Sequence, residues 1–175
     1  MSRLVSIWRR SESGAAAVEF AMIAPLLVLL HFGAVEVVQS FEAHRRVAHV
    51  AAALADLTAQ NRSVTDADLN DIMQAGALLV SPFPATQLQE RISSFYVDSG
   101  GTVQKDWSVQ SKNWTQSGGP SVPANYLQSG ESVIVADVSF TYKPLFGLVL
   151  PKAGFTMQKH AYLRPRLSTQ VTKPK

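Results

Sequence analysis

The feature that most constrains this chain is an apolar stretch at residues 15–38, AAAVEFAMIAPLLVLLHFGAVEVV. As an α-helix these 24 residues would be about 36 Å long, at roughly 1.5 Å per residue, which is enough to cross a ~30 Å hydrocarbon core. Glu19 and Glu36 lie near the two ends, where the cost of placing a charge in lipid falls, and residues 20–30 carry no charge. The sequence therefore predicts one transmembrane helix.

Basic residues set the expected orientation of this helix. Arg3, Arg9 and Arg10 precede it, whereas Arg45 and Arg46 follow it, so the positive-inside rule favours a cytoplasmic N-terminus and an outward domain from about residue 40. A signal peptide cleaved behind the apolar run is the alternative. The run is longer than a usual signal-peptide core and no suitable small-residue cleavage site follows it. The flanks of the arginine pair do not support a twin-arginine signal.

Composition excludes several function classes. The net charge of +3 is too small to indicate nucleic-acid binding. The absence of cysteine excludes disulfides, cysteine metal sites and thiol catalysis. Charge is unevenly distributed, since residues 42–137 hold six Lys/Arg and ten Asp/Glu, and residues 138–175 hold seven Lys/Arg and no acid. The basic C-terminal region indicates either a surface for an acidic partner or lipid headgroups, or a solvated strand face with a frayed tail.

Beyond the membrane the pattern predicts an α+β fold: a long N-terminal transmembrane helix that continues into a small domain, where a short antiparallel sheet packs on helix. A second helix is expected to be capped by Thr65 or Asp66 and to end near Leu79. Strands are expected at 92–97, 103–109, 133–142 and 155–163, with a loop at 112–126. The expected segments are a basic leader (1–14), the span (15–38), a helical stalk with the second helix (39–80), the β region (81–166) and a basic tail (167–175).

Residues capable of catalysis or metal binding form no recognisable pattern. His44 and His49 are five residues apart and so do not share a helix face, and His160 lies far along the chain. There is no phosphate-binding glycine loop and no nucleophile elbow. Trp107 and Trp114 fit core or loop-anchoring roles better than a binding surface. The sequence therefore predicts no enzyme, no metal and no cofactor, and leaves an unrecognised membrane-anchored hydrolase as the enzymatic alternative.

A short motif opens the apolar stretch. Gly14, four small or apolar residues beginning with Ala15, Glu19 and Phe20 together resemble the processing site of type IV-like prepilins. The resemblance implies that a prepilin peptidase cuts after Gly14 and leaves the anchor attached to the protein. The new α-ammonium group on Ala15 would lie beside hydrocarbon, where a carboxylate one helical turn onward, Glu19, could pair with it in the same or a neighbouring subunit. The alternative role of Glu19 is simply to reach the membrane interface.

The longer segment GAAAVEFAMIAPLLVLLHFGAVEVVQSF is similar to the signature segment of TadE-like proteins, including a step at Pro25 and the spacing Gly33-x-x-Glu36. Residues 140–146 and 161–166 also resemble that family. TadG-like relatives usually have a much longer C-terminal region, so the length of the chain favours TadE. Pro25, His31, Gly33 and Glu36 are then expected to take part in helix packing.

The resemblance implies a minor pseudopilin that acts in assembly of a tight-adherence (Flp type IVc) pilus and lies in the bacterial inner membrane with a periplasmic domain. Its expected partners are a prepilin peptidase, other pseudopilins and the major pilin, the inner-membrane assembly platform and membrane lipid, and no nucleic acid. Two alternatives stay open. One is a membrane-tethered periplasmic binding module whose helix is only an anchor, and the other is a type II secretion pseudopilin.

Overall fold

A single long helix dominates the computed structural model, which describes residues 12–123 and 126–174. This helix, α1 (Glu12–Ala59), has 48 residues and continues through Pro25 without interruption. From Gly33 onward one side of it is buried, at positions three and four residues apart. The buried positions are Gly33, Glu36, Ala43, Val47, Val50, Ala51, Leu54, Ala55, Thr58 and Ala59. The predicted continuation of the apolar helix into the domain is confirmed, because its second half forms part of the core.

The second helix, α2 (Asp66–Leu79), begins with a capping box. The Thr65 hydroxyl accepts a hydrogen bond from the Asp68 N–H at 3.2 Å, and the Asp68 carboxylate accepts one from the Thr65 N–H at 2.8 Å. These two bonds satisfy N–H groups that a helix start otherwise leaves without partners. Thr65 is thus the cap, of the two residues that the sequence proposed.

Four antiparallel strands form one sheet in the order β2-β1-β3-β4. The strands are β1 (Leu88–Val97), β2 (Val103–Gln110), β3 (Ser132–Tyr142) and β4 (Phe155–Leu163). The sheet confirms the predicted fold class. β1 begins before the predicted residue 92, because its first residues pair with the far half of β3, where Leu88 lies opposite Phe140. That pairing partner is distant in sequence and leaves no local signal.

Both faces of the central strand β3 are covered. The face that carries Ile134, Val138 and Phe140 packs with α1 and α2 in the main core. On the opposite face, which also carries Asp137 and Ser139, Val133 and Val135 are buried in a small cluster with Phe95. The covering side chains come partly from the loop after β2, through Val122 and Leu127. The loop thus closes the outer face of the sheet.

The C-terminal segment packs against the domain, in contrast to the frayed tail proposed from its charge. Val171 is fully buried, and its carbonyl accepts a hydrogen bond from the indole N–H of Trp107 at 2.9 Å. Thr172 forms a parallel bridge with Ser63, and the Val64 N–H donates to its carbonyl at 2.9 Å. Backbone pairing and one buried valine fix this segment, neither of which the net charge could indicate.

Candidate functional site at the N-terminal helix

The first half of α1 presents apolar side chains on all sides. Only 11% of the residues in its most apolar 18-residue window are buried. More than half of each of the following side chains is exposed: Val18, Phe20, Met22, Ile23, Leu26, Leu27, Val28, Leu29 and Leu30. A helix that is apolar all round needs an apolar environment, which the described part of this chain does not provide at residues 14–32. By length and composition the helix is suited to crossing a membrane.

The residues of the processing motif lie at the start of this exposed segment. Gly14 is helical, and a Cβ atom built on it would meet no atom within 4 Å. Ala15, Glu19 and Phe20 are all exposed, with 68% of the Phe20 side chain accessible. The leader preceding the motif lies outside the described residues up to position 11. Processing at Gly14 and charge pairing at Glu19 therefore stay predictions, which the exposed position of both residues permits.

Four further residues of α1 were predicted to pack helices together, and they fall into two groups. Pro25 and His31 are exposed on the apolar helix, where the His31 ring lies edge-on to that of Phe32, 5.7 Å apart between ring centroids. Gly33 and Glu36 are buried, and they face a loop of this same chain. The structure thus gives Gly33 and Glu36 a contact within the chain, and the part of all four residues in packing against a neighbouring helix stays a prediction.

That loop connects β3 to β4 and spans residues 143–154, the β3–β4 loop. It approaches the helix closely at Gly33, where an added Cβ atom would lie 2.8 Å from Cγ2 of Val149. The ring of Phe146 lies 4.8 Å from that of Phe32, centroid to centroid, in an edge arrangement. Glycine at position 33 therefore permits a close approach that no other residue would leave undisturbed.

Glu36 binds the β3–β4 loop through its carboxylate. Four backbone N–H groups donate to the two carboxylate oxygens, at 3.1 Å from Phe146, Leu148 and Val149 and at 3.3 Å from Leu150. Gly147 sits inside this arrangement with φ +65, the left-handed conformation that glycine adopts at little cost. Only 1% of Glu36 is exposed, so these donors replace the water that a buried carboxylate requires.

Tyr142, the last residue of β3, adds a further contact at the same place. Its hydroxyl donates to the main-chain carbonyl of Glu36 at 3.5 Å. Burial raises the pKa of the Tyr142 phenol, and the nearby Glu36 charge adds to the rise. Loop, strand end and helix therefore meet at one residue, which fixes the position of the domain on the helix.

Two contacts between distant parts of the chain were not predicted from the sequence. The first is the β3–β4 loop, whose apolar run between Lys143 and Lys152 was a possible signal. The second is a buried ion pair on the outer face of the sheet, between Arg91 and Asp137. Both join residues far apart in the chain.

The Arg91–Asp137 pair is fully satisfied. Nε and Nη2 of Arg91 donate to one carboxylate oxygen of Asp137 at 2.9 and 2.7 Å, and Nη1 donates to the Gly118 carbonyl at 2.8 Å. The guanidinium stacks on Trp114 at 4.5 Å, and Nδ1 of His160 lies 2.6 Å from the other carboxylate oxygen. Because Arg91 binds the Gly118 carbonyl and stacks on Trp114, the ion pair anchors the loop after β2. Trp114 is therefore a loop anchor and Trp107 a core residue.

Binding a metal ion or acting as an acid–base pair would require particular groups among the described residues. Within the described ranges no group of three or more His, Asp or Glu side chains is placed to hold a metal ion. Burial raises the pKa of Glu90 to about 8, and its Oε1 atom has no hydrogen-bond partner among the described residues. Glu90 lies under α2, beside Gly76, with no second titratable group bonded to it that would make an acid–base pair.

Taken together, a lipid-suited N-terminal helix carrying an α+β domain outside it suggests a single-pass membrane protein. Residues 14–56 match the model of the family described as TadE-like protein. The match confirms the resemblance that the sequence predicted, and it covers the processing motif, the exposed helix and the residues Gly33 and Glu36. No curated protein and no solved structure matches the chain.

Proposed function

We propose that this protein is a minor pseudopilin that acts in the assembly of a tight-adherence (Flp type IVc) pilus. The TadE-like match supports involvement in that pilus system. One observation carries the finer role: the apolar half of α1 is exposed on all sides, and it begins at the motif Gly14-x4-Glu19-Phe20. A helix of this kind can move from lipid into a bundle of similar helices, because both environments are apolar.

Processing by a prepilin peptidase after Gly14 prepares the helix for that transfer. Cleavage at this point removes the basic leader and leaves Ala15 as the N-terminus of the apolar helix. The new α-ammonium group is costly in lipid unless an opposite charge lies near it. Glu19 is exposed one turn further along α1, where it can reach the amine of its own or of a neighbouring subunit. Pairing between subunits would set the register of the helices in the bundle.

The proposed location is the bacterial inner membrane, with the N-terminus in the cytoplasm and the α+β domain in the periplasm. The partners of the helix are other pseudopilins, the major pilin and the inner-membrane assembly platform. The domain packs on α1 through Glu36 and the core, so it would prime or space subunits at a fixed distance from the membrane.

N-terminal sequencing of the mature protein is the first test. The protein is purified from a host with and without a prepilin peptidase of the tight-adherence type. A start at Ala15 that depends on the peptidase supports the proposal. An intact Met1 in both hosts would overturn processing and favour a tethered binding module whose helix is only an anchor.

A substitution at Glu19 then distinguishes a pseudopilin from a protein whose helix is only an anchor. Glu19→Leu should leave membrane insertion intact and abolish pilus assembly, measured by fractionation and by surface pilin. Glu42→Gln is the matched control, because it removes a carboxylate from the same helix outside the apolar segment. Normal assembly with Glu19→Leu would contradict the proposed pairing. If the parent protein restored secretion in a type II secretion mutant, and its loss left pilus assembly unchanged, it would belong to the type II secretion system instead.

A further inference from the structure

The tip of the β3–β4 loop exposes apolar side chains next to the membrane helix. Leu145, Phe146, Leu148 and Val149 are 71%, 44%, 51% and 57% exposed, respectively. An apolar patch of this kind is unfavourable in water and indicates a surface that is covered in the working protein. Its position and charge identify what covers it.

The loop lies at the level of the bilayer. Phe146 contacts Phe32, and Val149 packs over Gly33, both within the last turns of the span predicted at residues 15–38. Val149 also lines an apolar groove with residues of α1, namely Leu26, Leu29, Leu30, Gly33, Ala34, Val37 and Val38. The apolar surface of the helix therefore continues onto the loop without a polar boundary.

The backbone N–H groups at the tip of the loop have hydrogen-bond acceptors within the protein. Irregular backbone is tolerated at membrane depth only where its N–H and C=O groups find partners within the protein. The four N–H groups at the tip donate to the Glu36 carboxylate, so they do not need water. This explains why a carboxylate near the end of a membrane span is buried under a loop whose side chains point outward.

The charges beside the tip fit lipid headgroups. Lys143 and Lys152 flank it and are exposed. Residues 138–175 contain no acidic residue, and the Glu36 carboxylate beneath the loop is already occupied by N–H donors. Long lysine side chains can keep their stems along apolar surface while the ammonium groups reach anionic headgroups.

We propose that the β3–β4 loop is a second membrane-contacting element, which inserts its apolar tip into the interfacial region of the bilayer beside α1. The occupant of the patch is lipid, with Lys143 and Lys152 at the level of anionic headgroups. The inference rests on the membrane span of the proposed function and is independent of processing and of the pilus. It gives the domain two points of attachment, which restrict its tilt relative to the membrane.

Fluorescence quenching by lipid tests this contact directly. The chain has no cysteine, so Leu148→Cys gives a single site for an environment-sensitive dye. The full-length protein is reconstituted into vesicles of phosphatidylethanolamine and phosphatidylglycerol that carry brominated acyl chains. Leu27→Cys in the apolar helix is the positive control, and Val103→Cys, an exposed apolar residue at the β1–β2 hairpin far from Tyr142, is the negative control.

The expected result is strong quenching at positions 27 and 148 and none at position 103. Quenching at 27 without quenching at 148 would overturn the loop contact while leaving the membrane span in place. Absence of quenching at both positions would overturn the span itself and the loop contact with it. Cross-linking of two copies through position 148, in place of quenching, would assign the patch to a protein partner and also overturn the proposal.

The lysines give an independent readout. Replacing both, as Lys143→Glu with Lys152→Glu, should reduce quenching at position 148 in vesicles with phosphatidylglycerol and leave position 27 unchanged. Replacing Lys105 and Lys112 with Glu is the matched control, since these lie on and after β2, away from the loop. Equal effects of the two pairs would contradict specific headgroup contact by the loop.

Discussion

The carboxylate of Glu36 accepts a hydrogen bond from the backbone N–H of Val149 at 3.1 Å, although 113 residues separate the two in sequence. Three neighbouring N–H groups share the same carboxylate. A charge at the end of a membrane span is thereby satisfied without water, and the loop it holds is fixed to the helix. Four predictions test this contact and the domain that it positions.

Loss of the Glu36 carboxylate should release the β3–β4 loop. Glu36→Ala leaves four N–H groups without an acceptor, and a hydrogen bond to a charged group contributes about 1.5–3 kcal/mol. Hydrogen exchange at the amides of Leu148 and Val149 should therefore become roughly ten- to a hundredfold faster in detergent micelles. Glu42→Ala, on the same helix, removes a half-exposed pair with Arg46 and should leave these amides protected. Unchanged exchange in Glu36→Ala would contradict the contact.

A side chain at position 33 should displace the loop as well. Gly33→Leu places atoms where Val149 already packs, and overpacking of this kind costs about 1–3 kcal/mol. The expected result is faster exchange at Val149 and a lower melting temperature in micelles, both partly restored by Val149→Ala. Ala48→Leu on an exposed position of α1 is the control. An equal effect of both leucines would show that the clash is absent.

The buried Arg91–Asp137 pair should matter most when it is broken on one side. Arg91→Leu leaves the Asp137 carboxylate buried beside His160 alone, at an expected cost of about 3–5 kcal/mol in the free energy of unfolding. Arg91→Leu combined with Asp137→Leu should recover much of that loss, because no buried charge is left without its partner. Denaturant unfolding of the parent protein, Arg91→Leu, Asp137→Leu and the double variant measures the coupling directly.

A surface pair provides the comparison for that cycle. Arg164 and Glu131 form a salt bridge with 56% and 28% of their side chains exposed. Arg164→Leu should change the free energy of unfolding by about 0–1 kcal/mol. A loss as large as that of Arg91→Leu would mean that burial does not decide the effect.

Glu90 should make the domain less stable as pH rises. Burial raises its folded-state pKa to about 8, from 4.5 when unfolded, so between these values the folded state holds a proton that the unfolded state has lost. Stability from this group is complete below pH 4.5 and decreases as pH rises towards 8, by up to about 1.4 kcal/mol per pH unit. Unfolding measured across this range should show the slope.

Glu90→Gln should flatten that profile and make the domain more stable at pH 8 than the parent protein. Glu131→Gln, at the exposed pair, retains Glu90 and should retain the slope. A Glu90→Gln protein with the same pH profile as the parent would contradict the assignment.

The sequence by itself determined the elements whose cause is local. The apolar stretch and its motif define α1, the two candidate caps Thr65 and Asp66 place the start of α2 to within one residue, and alternation defines β3. These patterns depend on residues within a few positions of one another, so they can be recognised without knowledge of the folded structure. The resemblance to TadE-like proteins rests on the same N-terminal segment.

Only the tertiary structure decided which distant groups meet. Gly33 and Glu36 were predicted to take part in helix packing, and only the fold shows that the long connection after β3 turns back onto them and supplies N–H donors. Arg91 meets Asp137 because β1 and β3 pair at that register, and Val171 packs in the main core, where its carbonyl accepts a hydrogen bond from Trp107. A sequence pattern records which groups need a partner. Which partner satisfies them depends on the path of the folded chain.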